Sequence, residues 1–424
     1  MKVYFDTVGC RLNQAEIEHL AGEFRAAGHD IVDSPERADL VVINTCAVTT
    51  AAASDSRQKS RQAYRAGAAE ILLTGCLATL EPGLGEQLPG VSRVVSNQDK
   101  SQIAAMLLDR GESFDHEPLA RAPLPGARKR TRAFIKVQDG CDNLCTFCVT
   151  RLARGKAVST PKDLVLKDIE GAVMGGAQEV VLSGVHLGSW GSDLQEDQTL
   201  TDLVEYILAN STVNRLRLSS TEPWDLDGRF FALWQDRRMC RHLHLPLQSG
   251  SASVLKRMLR HTIPAEYRKL VHTAREKIPG VAITTDIIVG FPGETEDEFT
   301  ESLRFVEEMN FSAGHVFKYS ARPGTAASRL PGRVDGKVAQ ERSRLMRDVL
   351  SRSALKFTAQ HEDQVLEVLW ESAIGWLDGK WRLHGLSDNY LEIEGLADSD
   401  RCNKIDRVKI RTLADGSLAG EILL

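Results

Sequence analysis

The sequence predicts an α/β protein in three parts: an N-terminal open parallel α/β domain, a central partial (β/α)6 barrel and a small C-terminal β-barrel. Three observations carry this. Short β-branched runs alternate with helical patterns over the first hundred residues, and such alternation implies a parallel sheet. Six more strand-like runs, most of them followed by a helical pattern, begin at Ala133. Beyond a long Arg-rich helical pattern, short β-like runs separated by Gly-rich turns close the chain. With 424 residues the chain is long enough for two or three domains with sizeable cores. The expected divisions are 1–110, a linker at 111–130, 131–357 and 358–424.

The composition, 42% hydrophobic and 26% charged, is that of an ordinary soluble chain. A net charge of −5 exerts no global pull toward nucleic acid or anionic membrane, while local patches can still bind RNA. No apolar run approaches the length of a membrane span. The start, Met1-Lys2-Val3-Tyr4-Phe5-Asp6, lacks an apolar signal segment. The expected setting is cytoplasmic, with no membrane partner. Thiols stay reduced there, so eight cysteines in a chain of this length read as ligands rather than disulfides.

In the first hundred residues the strands are Val3–Cys10, Leu40–Cys46 and Ile71–Cys76, and each run ends in a cysteine. Helical segments near Gln14–Ala27 and Ser54–Ala66 separate them. Ligands of an open parallel sheet sit beyond the carboxyl ends of its strands. Cys10, Cys46 and Cys76 therefore converge at one edge as a three-thiolate site. The bland alternative is three small buried residues at strand ends, since free Cys is often buried.

Residues Gly111–Arg132 carry Pro118, Pro123, Pro125 and Gly126, then Arg128-Lys129-Arg130. That is linker composition with a basic run, either solvated or in contact with RNA. Ala133–Val137 then leads as a strand into Gly140-Cys141-Asp142-Asn143-Leu144-Cys145-Thr146-Phe147-Cys148. This spacing turns three thiolates into one loop cavity. Spacing alone does not choose between zinc and an iron–sulfur cluster. A closed zinc site takes four ligands, and no fourth Cys or His lies close by in sequence. A three-Cys zinc knuckle with a distant fourth ligand is the alternative. Further strands are expected at Glu179–Ser183, Arg215–Ser219, His242–Leu245, Val281–Val289 and His315–Tyr319. Helices are expected near Lys162–Met174, Leu200–Ala209, Ala252–Leu259, Ala265–Lys277 and Glu296–Met309. Functional loops should follow the carboxyl ends of these strands. Cys240 and Cys402 match no motif and read as ordinary small residues.

After a helix over Val334–Gln360 come β-like runs at Val365–Trp370, Tyr390–Ile393 and Arg407–Ile410. Over Thr358–Leu424 there are 13 acidic residues against 7 Lys and Arg. RNA affinity needs local phosphate neutralisation, which only the Arg401, Lys404, Arg407, Lys409 and Arg411 cluster offers. Trp376 and Trp381 are candidates for aromatic contacts, against the commoner role of Trp in a core.

CxxxCxxC with an aromatic before its last Cys resembles the signature of the radical S-adenosylmethionine (SAM) enzymes. Thr7-Val8-Gly9-Cys10-Arg11-Leu12-Asn13-Gln14, Asn44-Thr45-Cys46-Ala47-Val48 and Thr74-Gly75-Cys76 narrow the resemblance to the methylthiotransferases of that superfamily. The likeness runs nearly end to end, the tail resembling the RNA-binding TRAM domain. It implies two 4Fe–4S clusters, one on Cys141, Cys145 and Cys148, the other on Cys10, Cys46 and Cys76. One iron of the core cluster would stay open for the amino and carboxylate groups of SAM. The resemblance further implies SAM contacts from Phe147, Ser183, Gly184, Ser220, Glu222 and Gln248. His244–Gly250 and Asp286–Glu294 look like two more family segments.

The implied chemistry is reductive SAM cleavage, hydrogen abstraction from an unactivated C–H of a base, and delivery of a methylated sulfur from the N-terminal cluster. The implied partners are a tRNA anticodon stem-loop, a low-potential electron donor and a sulfur donor. The Gly9–Gln14 and Gly184–Gly188 segments look most like the branch acting on threonylcarbamoyladenosine. Branches acting on isopentenyladenosine or on a ribosomal-protein aspartate are alternatives, as is a non-catalytic Cys-rich RNA-binding scaffold. Two departures bear on the substrate mouth. Val149-Thr150-Arg151 stands where relatives carry Ile-Val-Pro, and Lys318 stands where they often carry proline.

Overall fold

The computed structural model describes residues 1–108, 131–195, 198–226, 228–413 and 415–423. The expected linker and its Arg128-Lys129-Arg130 run lie outside the described residues, apart from Thr131 and Arg132. No helix among the described residues is long and apolar enough to cross a membrane.

The N-terminal domain is a five-stranded parallel sheet ordered β2-β1-β3-β4-β5. Its strands are β1 Lys2–Thr7, β2 Asp30–Ile31, β3 Leu40–Thr45, β4 Glu70–Gly75 and β5 Val91–Val94. Helices α1 Arg11–Ala26, α2 Thr50–Arg65, α3 Cys76–Leu80, α4 Leu84–Gln87 and α5 Ile103–Leu108 surround it. Side chains alternate across the pleat. Leu40 and Val42 enter a core with Phe5, Ile17, Leu20 and Phe24 on one face. Val41 and Ile43 enter another with Ala53, Ala63, Ile71 and Leu73 on the opposite face. Covered faces on both sides explain why β3 reads as an unbroken apolar run, every residue of it buried. The sequence reading missed β2 and β5. One is two residues long, and the other, Val-Ser-Arg-Val, exposes its middle pair at the sheet edge.

The central domain runs β6 Arg132–Lys136, β7 Gln138–Asp139, α6 Thr150–Arg154, β8 Val158–Ser159, α7 Lys162–Met174, β9 Glu179–Ser183, α8 Leu200–Asn210, β10 Arg215–Leu218, β11 His242–His244, α9 Ala252–Arg257, α10 Pro264–Lys277, β12 Ala282–Val289, α11 Glu296–Met309 and β13 Ala313–Lys318. Parallel sheets β6-β9-β10 and β11-β12-β13 meet through a bridge between Ser220 and His244. The six strands curve in chain order as the partial barrel the sequence predicts, around one large apolar core. β7 and β8 form a small antiparallel pair beneath the Cys loop. On the flank of the barrel α1 packs against β6, where Ala15 is buried with Phe134 and Val181.

Helix α12 Gly336–Ala359 leaves this domain for a closed barrel ordered β14-β15-β16-β18-β17. Its strands are β14 Val365–Leu377, β15 Lys380–Ser387, β16 Glu392–Ala397, β17 Ile405–Thr412 and β18 Leu418–Ile422. The fully buried Trp370 fills it, and a Cβ on Gly395 would stand 2.5 Å from that ring. The sequence reading missed β15 and β18. It also began β16 at Tyr390, which instead turns at φ +67° before the strand.

Candidate active site

Cys10 caps α1, Cys46 follows β3 and Cys76 opens α3, so the three stand at the carboxyl edge of three adjacent strands. Two glycines make the gathering possible. Gly9 has φ +94°, and a Cβ there would lie 2.5 Å from Cys46 Sγ. Gly75 has φ +98°, and its Cβ would lie 2.3 Å from Thr45 O. Both conformations fall in the region that favours glycine. Cys46 and Cys76 are buried. Cys10 is exposed, at the start of α1. Desolvation raises the Cys10 thiol and pushes Cys46 up to about 11, with Cys10 and Cys76 adding like-charge repulsion at Cys46. A bound metal would hold the Cys10 and Cys46 thiols as thiolates.

Cys141, Cys145 and Cys148 occupy the loop between β7 and α6. Gly140 starts it at φ +66°, where a Cβ would strike Lys156 O at 1.8 Å. Burial pushes Cys145 up to about 11 against the opposing pull of Arg260, whose Nη1 lies 3.9 Å from Cys145 Sγ. Arg260 is itself locked. It forks to Glu222 at 2.9 and 2.6 Å, donates to Pro246 O at 2.9 Å and lies 4.6 Å from the Trp224 ring centre. Cys148 Sγ lies 3.1 Å from Thr150 Oγ1 and accepts from Thr150 N at 3.4 Å, so the residue that departs from Ile-Val-Pro serves a cysteine. Lys318, the other departure, donates to Gln340 Oε1 at 2.7 Å, on the face turned toward α12.

His186 is buried behind Cys141. Its Nε2 lies 2.7 Å from Asp225 Oδ2, and its Nδ1 lies 3.3 Å from Asn143 Nδ2. Burial lowers its pKa, but hydrogen bonds to Asp225 and Cys141 outweigh that and take it up to about 10. Gly188 leaves room for the pair, since a Cβ there would lie 2.0 Å from Asp225 Oδ2.

The remaining expected site residues line the strand ends. Phe147 is half-buried against Val254, Met258, Phe291 and Ala327. Ser183 ends β9 and turns its hydroxyl to Val181 O at 3.4 Å. Gly184 follows, with the Gln138 side chain 3.0 Å from where a Cβ would be. Ser220 bridges toward β11, and Glu222 is the fork on Arg260. Gln248 takes φ +69° and exchanges backbone bonds with Asp286 and Ile288. Beside Ser220, the buried hydroxyls of Ser219 and Thr221 have no protein partner. Ser220, Glu222 and Gln248 at the strand ends offer polar groups that suit a ligand such as SAM. Two sets of three thiols in glycine-shaped loops suit iron–sulfur clusters. Sequence reasoning did not single out Arg260, Trp224, Asp225, Asn97, Glu16 or Arg154, because no local motif marks them.

Of the expected RNA contacts, Arg401 and Lys404 line a cavity of about 1070 Å³ with Arg237 and Lys277, at the amino ends of β10 and β11. Lys409 and Arg411 pair with Asp363. Trp376 is 59% exposed and makes an edge contact with Trp381.

Residues 2–96 match an uncharacterized protein family, UPF0004, and residues 135–306 match the radical SAM superfamily. The threonylcarbamoyladenosine tRNA methylthiotransferase MtaB of Bacillus subtilis is 36% identical, over 96% of this chain and 93% of its own. MtaB of Thermotoga maritima is 34% identical, over 97% and 95%. The tRNA-2-methylthio-N(6)-dimethylallyladenosine synthase of Clostridium tetani is 30% identical, over 99% and 95%. Among solved structures, the radical SAM methyltransferase TsrM from Kitasatospora setae matches with a TM-score of 0.58 at 14% identity, over 77% of this chain and 74% of that one. That likeness concerns the fold.

Proposed function

The chain belongs to the radical SAM methylthiotransferases of the MtaB type, and on that premise we propose that it adds a methylthio group to C2 of N6-threonylcarbamoyladenosine at tRNA position 37, next to the anticodon. Family membership brings SAM and a 4Fe–4S cluster with it. Cys141, Cys145 and Cys148 are the residues to hold that cluster, and Cys10, Cys46 and Cys76 a second. When bound, such clusters supply the electron for SAM cleavage and a surface for the sulfur to be transferred.

The chain's own residues do the rest. Arg260 compensates the thiolate of Cys145, and Glu222 with Trp224 keeps its guanidinium in place. Asp225 orients His186 toward Cys141. Phe147, Met258, Phe291 and Ala327 pack behind the loop and exclude water from it. Ser183, Gly184, Ser220, Glu222 and Gln248 stand at the strand ends as the residues for SAM. The tRNA is the substrate, and a low-potential electron donor and a sulfur donor are its companions.

The observation that supports this most is the contact between the segments that carry the two cysteine sets. Asn97 Nδ2 lies 3.6 Å from Cys76 Sγ and donates to Ala153 O at 2.9 Å, in the helix that directly follows Cys148. The test is nucleoside mass spectrometry of tRNA from cells with and without the gene. Loss of the methylthio group from threonylcarbamoyladenosine is expected. Loss from isopentenyladenosine instead would move the enzyme to the other tRNA branch, and unchanged tRNA would refute a tRNA substrate.

A further inference from the structure

Two cysteine sets on separate domains must be held at a working separation, and neither set contains anything that fixes it. A buried polar web crosses the joint between them. At its centre is Glu16 of α1, 7% exposed. Glu16 accepts from Lys100 Nζ at 2.6 Å, from Arg154 Nη1 at 2.8 Å, from Asn44 Nδ2 at 3.1 Å and from Lys136 Nζ at 3.4 Å. Arg154 also donates to Asp139 Oδ1 at 2.8 Å and to Asn13 Oδ1 at 2.6 Å.

The members of the web sit beside the cysteines. Asn13 is three residues after Cys10, and Asn44 is two before Cys46. Asp139 is two before Cys141, and Arg154 ends the helix after Cys148. Cys76 joins through Asn97, which also holds Ala153. The segments that carry Cys10, Cys46 and Cys141–Cys148 are therefore tied to the same few atoms, and that of Cys76 is tied to Ala153, the residue before Arg154. Apolar packing between α1 and β6 tolerates sliding, whereas a guanidinium bonded to several acceptors at once allows one register. A buried ion pair is weak evidence of added stability, and setting a register is its better-attested use.

We propose that Glu16 and Arg154 are positioning residues that set the separation and orientation of the two cysteine sets, and so govern how much SAM cleavage ends in methylthiolation. This rests on the function proposed above. Neither side chain takes part in cleavage itself.

The test compares full-length wild type with Glu16→Gln after anaerobic reconstitution with reductant, SAM and tRNA. A second variant, Glu16→Gln with Lys100→Met, removes a charge pair together and keeps side-chain volume, so that folding is preserved. The readout is 5′-deoxyadenosine released per methylthiolated nucleoside. Amide hydrogen exchange of residues 11–16 and 150–155 is followed in parallel on the metal-free full chain. The expected result is 5′-deoxyadenosine release within about twofold of wild type, a ratio raised by ~10-fold or more, and faster exchange in both segments. If both products fall together at a constant ratio in the variant that folds, the web only stabilises and the proposal is overturned. If wild type itself releases 5′-deoxyadenosine but forms no methylthiolated nucleoside, the functional reading fails instead. Exchange then decides the positioning role alone, and unchanged exchange in both segments overturns it.

Discussion

At Gly9 a single methyl group decides whether the Cys46 side chain has room beside the turn into α1. Its Cβ would stand 2.5 Å from Cys46 Sγ, on a backbone at φ +94°. Gly28 also has positive φ, at +80°, but nothing lies within 4 Å of the position a Cβ would take. Gly9→Ala should therefore lower the iron bound after reconstitution to about half, the content of one remaining 4Fe–4S cluster, while Gly28→Ala loads fully. Iron assay of the two purified variants checks this, and equal loading would remove the role assigned to Gly9. That each strand run stops at a cysteine, after Gly9, Thr45 or Gly75, was legible in the sequence. The reason for Gly9 was not, because the atom it makes room for belongs to Cys46, 37 residues further along the chain. Arg260 was invisible for the same reason. Its partners Glu222 and Cys145 lie 38 and 115 residues from it in sequence.

At the scale of elements, α11 shows why some boundaries read correctly. Thr295 accepts from the Glu298 amide while Glu298 accepts from the Thr295 amide, a reciprocal cap that a sequence displays openly. Helices α7 and α11 were expected at the bounds they have, while β2, β5, β15 and β18 went unseen. A cap is local, but an edge strand exists only because a neighbour pairs with it. Glu298 also carries a pH dependence. The hydrogen bonds from Arg257 hold its carboxyl down to about 2 against an ordinary 4.5. A depressed carboxylate contributes stability that is present above the unfolded pKa and is lost as pH falls through the folded one. Glu298→Gln should thus cost about 1 kcal/mol at pH 7. The gap between variant and wild type should shrink as the pH drops from 4.5 toward 2. Urea unfolding at pH 7 and at low pH measures it, and a gap constant with pH would show that the cap acts without its charge.

At the scale of the whole molecule, the C-terminal barrel is seated in the base of the central one. Arg215 donates to Glu367 O at 2.7 Å and Leu386 O at 3.2 Å. Arg217, fully buried and forked onto Glu179, donates to Ser387 O at 3.1 Å and Asp388 O at 3.0 Å. Tyr390 stacks on His242 with ring centres 4.2 Å apart, and its hydroxyl accepts from Arg11, the residue after Cys10. Ending the chain after Ala359 should therefore lower the thermal midpoint of the remaining domains by roughly 5–10 °C, since several buried donors lose their acceptors. An unchanged midpoint in calorimetry would make the C-terminal barrel an independent appendage. The sequence by itself determined the α/β class and the three-part order, because strand and helix periodicity are local properties of a chain. Tertiary structure alone decided which charges are buried together at Glu16, how Arg260 serves Cys145 and how Tyr390 reaches Arg11. Those contacts join residues tens to hundreds of positions apart, and only folding brings them within reach of a hydrogen bond.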